Sequence, residues 1–185
     1  MGHISVLLKE VMEVLAPVDG GRYFDGTLGG GGHARAILEA SAPTGHLAGT
    51  DLDPAVIERL RHEFAPYGER VHLVHANFSD IDSICAGLDW HSLNGIVLDL
   101  GLSSLQLADA ARGFAFSQNG PLDMRFSPES QPSAHTIVNT YGEPVLARII
   151  RTLGEERFAS RIAHAIVANR PIETTTELAD CVSRA

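Results

Sequence analysis

Residues 22–33 read RYFDGTLGGGGH, a short stretch with apolar residues that runs through Asp25 into four consecutive glycines. This pattern predicts a β-strand over residues 22–27, a glycine-rich loop, and a helix over residues 33–40. Glycine lets the backbone approach a bound molecule closely, and the helix that follows presents free N–H groups. The stretch therefore predicts a ligand site at the end of a strand.

Strand and helix alternate along the first hundred residues. Further strands are predicted over residues 45–51, 70–76 and 94–100, and further helices over 4–16, 55–64 and 80–88. Asp53 and Pro54 mark the start of one helix, because an acid favours the N-cap and proline favours the first turn. The strand 94–100 is nearly all apolar, as expected at the centre of a parallel sheet. The alternation predicts an α/β layer with right-handed crossovers.

Beyond residue 105 the pattern changes. Residues 113–132 are rich in glycine, proline, serine and phenylalanine without a clear period, and three helices follow. These helices are predicted over residues 143–153, 155–168 and from 176 to 183. We therefore predict two domains, an α/β domain over residues 1–108 and a helical domain over residues 109–185.

The composition is that of a folded protein with an uneven charge. The 185 residues include 44% hydrophobic and 20% charged residues, and the net charge is −9. Residues 1–110 hold 6 basic and 15 acidic side chains, whereas residues 111–185 hold 8 of each, so a polyanion is repelled mainly by the first part. No apolar run reaches the ~20 residues that span a bilayer, and no secretory leader is apparent at residues 1–10. Two cysteines far apart argue against a disulfide framework, so we expect a cytoplasmic protein.

Three acidic side chains lie at the ends of predicted strands, namely Asp25, Asp51 and Asp99. Gly29, Gly31 and the alanine at 34 also satisfy G-x-G-x-x-A, the dinucleotide pattern. Two cofactors therefore compete. A diphosphate is repelled by nearby carboxylates, whereas the ammonium and sulfonium of S-adenosylmethionine are attracted by them. The acids favour S-adenosylmethionine, and a nicotinamide-dependent oxidoreductase is the alternative.

Further polar and aromatic residues follow the third and fourth strands. Phe78 is a candidate to lie beside an adenine ring, or else a core residue. Asp99, Ser103 and Ser104 are candidate catalytic residues, because their oxygens can hold and polarise an exocyclic amine. The ordinary alternative for the two serines is a helix N-cap.

Seven sequence blocks, together with the first residues of the chain, carry a resemblance to a known family. After HISVLL at residues 3–8 come DGTLGGGGH (25–33), GTDLDP (49–54), NFS (77–79), LDLG (98–101), RGFAF (112–116), PLDMR (121–125) and GEERFA (154–159). In these blocks the chain resembles the bacterial 16S ribosomal RNA cytosine-N4 methyltransferases of the H type. The last three blocks are not general methyltransferase patterns.

The resemblance implies a class I methyltransferase sheet of Rossmann-like topology with a helical insert domain. It also implies direct in-line methylation of cytosine N4 in the decoding centre of the small ribosomal subunit, with S-adenosylmethionine as donor. A catalytically inactive S-adenosylmethionine-binding fragment is a further alternative. The cofactor contacts that the resemblance implies are Gly31, Gly32, His33, Asp51, Phe78, Asp99 and Gln106.

The sequence departs from the family pattern in two ways. Leu105 stands where the family usually has proline, and the family pattern continues beyond residue 185. We therefore expect an N-terminal part of the sheet in which strand 94–100 is an unpaired apolar edge, which favours self-association. No metal-ligand spacing is present, and His72 and His75 are interpreted as strand-surface residues.

Several arginines are candidate RNA contacts. Arg157, Arg161 and His164 fall on one face of the predicted helix 155–168, and Arg148 and Arg151 precede it. They are either phosphate contacts or a solvated face paired with Glu155 and Glu156. Arg112 and Arg125, in the family blocks, are expected either to order the domain junction or to contact RNA.

Overall fold

The computed structural model describes residues 5–185, apart from the side chain of residue 105. The first residues of the predicted helix 4–16 and of the block HISVLL lie outside the described part. The chain forms two compact units that divide between Ser103 and Ser104. The sequence prediction placed the division near residue 108.

The described residues of the first unit form four strands and four α-helices. They are α1 (Leu8–Leu15), β1 (Arg22–Asp25), α2 (Gly32–Ala40), β2 (His46–Asp51), α3 (Pro54–Glu63), β3 (Val71–His75), α4 (Ile81–Gly87) and β4 (Gly95–Val97), with 3₁₀ turns at Ala65–Arg70 and Phe78–Asp80. The sheet has the order β3-β2-β1-β4, and all three pairings are parallel. The predicted parallel α/β layer is therefore confirmed.

Side chains that alternate along the strands form cores on both faces of the sheet. On one face Tyr23, Leu47 and Val97 pack in a cluster with buried residues of α2 and α3, and α1 covers its margin. On the other face Phe24 and Ala48 pack against Trp90 and residues of α4. The helices on the two faces leave the carboxyl ends of the strands to the loops.

The helix before β1 is shorter than predicted. It begins at Leu8, because Leu7 has a left-handed φ of 51°, and it ends at Leu15 before Ala16 with φ 43°. The helix α3 begins as its sequence predicts, with the Asp53 carboxylate accepting a hydrogen bond from the Ala55 N–H and Pro54 in the first turn. An acid and a proline at these positions satisfy the helix start locally.

The strand β4 is the edge of the described sheet. It spans only Gly95–Val97 and pairs with β1. Ile96 is 51% exposed and Leu98 is 46% exposed. The expectation that this strand is an apolar edge in the given chain is therefore confirmed, and the strand is shorter than the predicted range 94–100.

The second unit is helical. It contains α5 (Ser104–Ala108), a 3₁₀ turn (Ala110–Arg112), α6 (Ala134–Thr140), α7 (Glu143–Leu153), α8 (Ala159–Ala168) and α9 (Thr175–Arg184). The helices α6 to α9 enclose a core that includes Leu146, Ile162 and Ile166. The bounds of α7 are those predicted.

The helix α8 begins four residues later than predicted. Glu155 has a left-handed φ of 52°, and the Glu156 carboxylate accepts a hydrogen bond from the Phe158 N–H at 2.7 Å. These two features hold residues 155–158 in a turn before the helix. The helix α9 begins with a reciprocal capping box between Thr174 and Glu177.

Two arginines order the loop that precedes α6. The Arg125 guanidinium contacts both oxygens of the Asp123 carboxylate, at 2.6 and 2.8 Å, and donates to the Pro128 carbonyl. Arg112 donates to the carbonyls of Arg125 and Phe126, at 2.9 and 2.8 Å. The Arg125 ion pair lowers the pKa of Asp123, mainly through this hydrogen bonding. Both arginines therefore order this segment of the second unit.

Candidate cofactor site

Three acidic residues stand at the carboxyl ends of three adjacent strands. Asp25 ends β1, Asp51 ends β2, and Asp99 follows β4 by two residues. Because β1 lies between β2 and β4, Asp25 occupies the middle of the group. This placement agrees with the expectation that acids at parallel strand ends gather at one edge of the sheet.

Asp25 is a buried carboxyl with an altered proton affinity. Its side chain is 1% exposed, and its Oδ1 accepts a hydrogen bond from the Thr27 N–H at 3.0 Å. The pKa of Asp25 is raised to about 7, mainly by burial; repulsion from Asp51 and Asp99 adds to this rise, and the hydrogen bond from Thr27 opposes it. The site is therefore one in which negative charge is costly and a cation is favourable.

Asp51 connects the end of β2 to the glycine loop. Its Oδ2 accepts a hydrogen bond from the Gly29 N–H, and its Oδ1 accepts one from the Asp53 N–H, each at 2.9 Å. Burial raises the pKa of Asp51 despite these two hydrogen bonds. Each carboxylate oxygen keeps a second lone pair for a ligand hydroxyl.

The glycines of the loop are required by packing as well as by backbone angle. Gly29 and Gly31 have left-handed φ values of 44° and 79°. A Cβ on Gly31 would lie 2.6 Å from Leu60 Cδ2, and a Cβ on Gly32 would overlap the Ser5 hydroxyl. Sequence reasoning assigned these glycines to close approach of a ligand, and the structure adds contacts within the protein.

Arg59 is a part of the site that the sequence prediction missed. From α3 its Nη2 donates to the Gly29 carbonyl at 2.6 Å, while its Nη1 contacts Glu63 Oε1 at 2.7 Å. The Glu63 carboxylate also accepts a hydrogen bond from Arg35 Nη2 at 3.1 Å. The spacing of Arg59 and Glu63 indicates an ion pair within the helix, but no local signal connects Arg59 to a glycine thirty positions earlier.

His33 and Asp99 lie beside each other. The His33 ring is buried, its Nε2 is 3.1 Å from the Val6 carbonyl, and its Nδ1 is 3.9 Å from Asp99 Oδ2. The Asp99 N–H donates to Thr27 Oγ1 at 2.6 Å, and its side chain is 50% exposed. The backbone of Asp99 is therefore anchored while its carboxylate stays open to solvent.

Phe78 stands close to the end of β1. It is 37% exposed in the 3₁₀ turn Phe78–Asp80, and a Cβ on Gly26 would lie 2.8 Å from the Phe78 Cβ and overlap Leu98. Phe78 belongs to none of the hydrophobic clusters among the described residues. The alternative of a buried core residue is therefore wrong, and the ring is accessible beside the strand end.

The remaining predicted site residues span the division between the two units. Ser103 ends the first unit, and its Cβ is 3.9 Å from a Cβ placed on Gly29. Ser104 and Gln106 belong to α5 of the second unit, where Ser104 is the first helical residue and Gln106 is buried. Their part in the site stays a prediction.

Histidines elsewhere on the sheet form a stacked pair. The His72 ring stacks on His46 with centroids 6.2 Å apart and meets Trp90 edge-on at 5.8 Å. Burial lowers the pKa of His72, and His46 adds to this effect. His72 is therefore half-buried, which corrects its interpretation as a strand-surface residue, whereas His75 is exposed. Among residues 5–185, apart from side chain 105, no three metal-binding side chains gather at one point.

The parallel sheet, the helices on both of its faces and the acidic group beyond its strand ends define a doubly wound α/β protein. Within the described part of the chain, every helix is too short or too polar to cross a membrane. The chain belongs to the MraW methylase family, whose model matches residues 1–185.

Curated relatives share this similarity along the whole chain. Proteins named ribosomal RNA small subunit methyltransferase H are 52% identical in Geotalea uraniireducens over 186 residues, 51% in Thermomicrobium roseum over 185 and 49% in Syntrophotalea carbinolica over 183. These matches cover 99%, 98% and 97% of this chain. The chain spans 60%, 57% and 58% of the length of the three relatives.

Proposed function

We propose that this chain supplies the cofactor site of an S-adenosylmethionine-dependent methyltransferase that acts on N4 of a cytosine in the decoding centre of 16S ribosomal RNA. Membership of the methylase family and the names of the relatives support methyl transfer to small-subunit ribosomal RNA. The observation that carries the choice of cofactor is the buried Asp25 between Asp51 and Asp99. We expect the protein to work in the cytoplasm, where the small ribosomal subunit is found.

The residues at the strand ends fit a positively charged cofactor. A cation near Asp25, Asp51 and Asp99 relieves the repulsion among their carboxylates, whereas a diphosphate adds to it. S-adenosylmethionine supplies a methyl group on a sulfonium, so it carries positive charge at the reacting centre. We propose that it is held by the residues that the family resemblance indicates, namely Gly31, Gly32, His33, Asp51, Phe78, Asp99 and Gln106.

The carboxylate of Asp51 is suited to the ribose. Its backbone hydrogen bonds fix the orientation of both oxygens and leave one lone pair on each. Phe78 offers an accessible ring to an adenine. These two side chains follow neighbouring strands, β2 and β3, which pair directly.

Asp99, Ser103 and Ser104 are proposed to act on the substrate amine. An acceptor that receives an amine hydrogen draws the nitrogen lone pair away from the pyrimidine ring and orients it for in-line attack. We propose as this acceptor in the first unit the Asp99 carboxylate, which is half exposed and whose backbone N–H is anchored by Thr27. The bond from the sulfonium sulfur to its methyl group breaks as the amine nitrogen forms its new bond, so the donor leaves as a neutral thioether and the nitrogen gives one proton to a nearby acceptor or to water.

Calorimetry on this chain tests the cofactor assignment. We expect binding heat with S-adenosylmethionine and none with a nicotinamide dinucleotide. Asp51→Ala is expected to weaken binding at least tenfold, because a charged acceptor on the ribose is worth about 1.5–3 kcal/mol. Asp51→Asn keeps one carbonyl oxygen that can accept a backbone N–H. Comparison of the two variants therefore separates loss of the contact with the ligand from loss of the hydrogen bond that holds the glycine loop. Binding of the dinucleotide alone would contradict the proposal and favour an oxidoreductase.

Activity is tested separately from binding. Transfer of a tritiated methyl group to undermethylated small subunits distinguishes an active enzyme from a fragment that only binds cofactor. We expect transfer by the protein and its reduction in the variant Asp99→Asn, which keeps the size of the side chain and removes its charge. Cofactor binding without transfer would favour the inactive alternative.

A further inference from the structure

Four exposed arginines lie on α7, on α8 and on the turn between them. Arg148 and Arg151 belong to α7, Arg157 lies in the turn, and Arg161 belongs to α8. The exposed Phe158 lies between the last two. We call these five residues the α7–α8 arginine surface, and all of them lie within the second unit.

None of the four guanidinium groups has a carboxylate partner within 4 Å in the described part of the chain. Other arginines do have one, for example Arg61 with Glu58 and Arg184 with Asp180. The expected pairing with Glu155 and Glu156 is wrong, because the Glu156 carboxylate instead accepts the Phe158 N–H. These four guanidinium groups are therefore not held in ion pairs with carboxylates in the described part of the chain.

The expected face of Arg157, Arg161 and His164 on one helix is also wrong. Arg157 precedes the first residue of α8, and His164 Nδ1 contacts Glu143 Oε2 at 3.0 Å. His164 is therefore paired and does not belong to the surface. Arg157 joins Arg161 through a shared aromatic ring and not through helical spacing.

The Phe158 ring and a serine hydroxyl hold three of the guanidinium groups. The Cζ atoms of Arg157 and Arg161 lie 4.5 and 4.7 Å from the centre of the Phe158 ring. Arg151 Nη2 donates to Ser160 Oγ at 2.9 Å, which joins α7 to α8. Neutral partners restrict these side chains without cancelling their charge, so less conformational entropy is lost when they bind an anion.

We infer that the α7–α8 arginine surface binds the phosphate backbone of single-stranded RNA. Guanidinium groups match phosphate oxygens in a bidentate geometry, and an exposed aromatic ring among them is typical of surfaces that contact unpaired nucleotides. The inference rests on the proposed function, which makes RNA the substrate class. In a chain of net charge −9, a group of arginines without carboxylate contacts is where a polyanion meets less repulsion.

The salt dependence of binding measures the number of phosphate contacts. Each phosphate contact on a single strand contributes about 0.7 to the slope of log affinity against log salt concentration. Removal of two contacting arginines is expected to lower the slope by about 1.4. If affinities converge near 1 M salt, this corresponds to about 25-fold weaker binding at 0.1 M.

Fluorescence anisotropy with a labelled, mixed-sequence, single-stranded RNA of twenty nucleotides tests this on the whole chain. The double variants Arg157→Gln with Arg161→Gln, and Arg148→Gln with Arg151→Gln, are expected to lower the slope. The control combines Arg61→Gln with Arg184→Gln, two exposed arginines paired elsewhere, and is expected to leave the slope near that of the parent. Far-ultraviolet circular dichroism confirms that each variant is folded.

Several outcomes would overturn the inference. The first is that the parent chain does not bind RNA, and the second is that the control variant loses as much of the salt-dependence slope as the test variants. The third is that poly-glutamate of the same net charge binds with equal affinity, which would indicate an acidic protein partner. Calorimetry with S-adenosylmethionine on the same samples separates the two proposals. Cofactor binding with unchanged slopes refutes only the RNA surface, whereas changed slopes without cofactor binding refute only the proposed cofactor chemistry.

Discussion

Asp25→Asn is expected to change how the stability of the first unit depends on pH. The pKa of Asp25 is raised by burial to about 7 in the folded chain, from 3.8 for an ordinary aspartate. Between these values the folded state keeps a proton that the unfolded state has lost. Stability from this carboxyl is therefore complete below pH 3.8 and is lost as the pH rises to about 7.

The size of the effect follows from the shift. A difference of about three pH units at 1.36 kcal/mol per unit gives about 4 kcal/mol. Asparagine carries no charge and keeps an oxygen that can accept the Thr27 N–H. We therefore expect Asp25→Asn to be more stable than the parent by up to about 4 kcal/mol at pH 8, and by little at pH 4.

Urea denaturation followed by Trp90 fluorescence measures this difference. Trp90 is the only tryptophan and packs in the first unit, on the sheet that carries Asp25. Asp19→Asn is the matched control, because hydrogen bonds from Thr44 lower the pKa of this exposed acid, so it titrates below the window. Parallel stability profiles for the parent and Asp25→Asn from pH 4 to 8 would refute the reasoning.

Three further predictions concern the loop and the sheet edge. Gly31→Ala is expected to destabilise the chain by about 1–3 kcal/mol more than Gly68→Ala in urea denaturation, because both positions have positive φ but only Gly31 is crowded; equal losses would refute the packing argument. Arg59→Ala is expected to weaken S-adenosylmethionine binding several-fold in calorimetry by releasing the Gly29 carbonyl, whereas unchanged affinity would show that the loop does not need this contact. Ile96→Lys is expected to reduce self-association in analytical ultracentrifugation, since lysine blocks edge pairing; a monomeric parent chain would contradict the prediction.

The helices that the sequence predicted correctly are those that local sequence signals specify. The start of α3 follows from the Asp53 cap and Pro54, and α7 follows from the spacing of its apolar residues. The late start of α8 was missed because it depends on a left-handed Glu155, which no propensity requires. The short helix α6 was missed because its start depends on the Ser133 side chain and its apolar face is small.

The candidate site likewise combines features that the local sequence predicts with features that only the packing of distant segments determines. The placement of Asp25, Asp51 and Asp99 follows from parallel strands alone, because each acid ends or follows a strand. The contact from Arg59 to the loop and the approach of His33 to Asp99 arise only when distant segments pack. The edge position of β4 also depends on which strands pair, and an apolar sequence does not specify that.

The first unit is formed by one continuous segment of the chain, and this has a consequence for its biosynthesis. The four described strands, the glycine loop and the three carboxylates lie in sequence before Ser104. Domains generally fold in order as the chain emerges during translation. A nascent chain can therefore form the glycine loop and the three acidic strand ends while the helical unit is still being synthesised, and cofactor binding at that stage would stabilise the described part of the sheet.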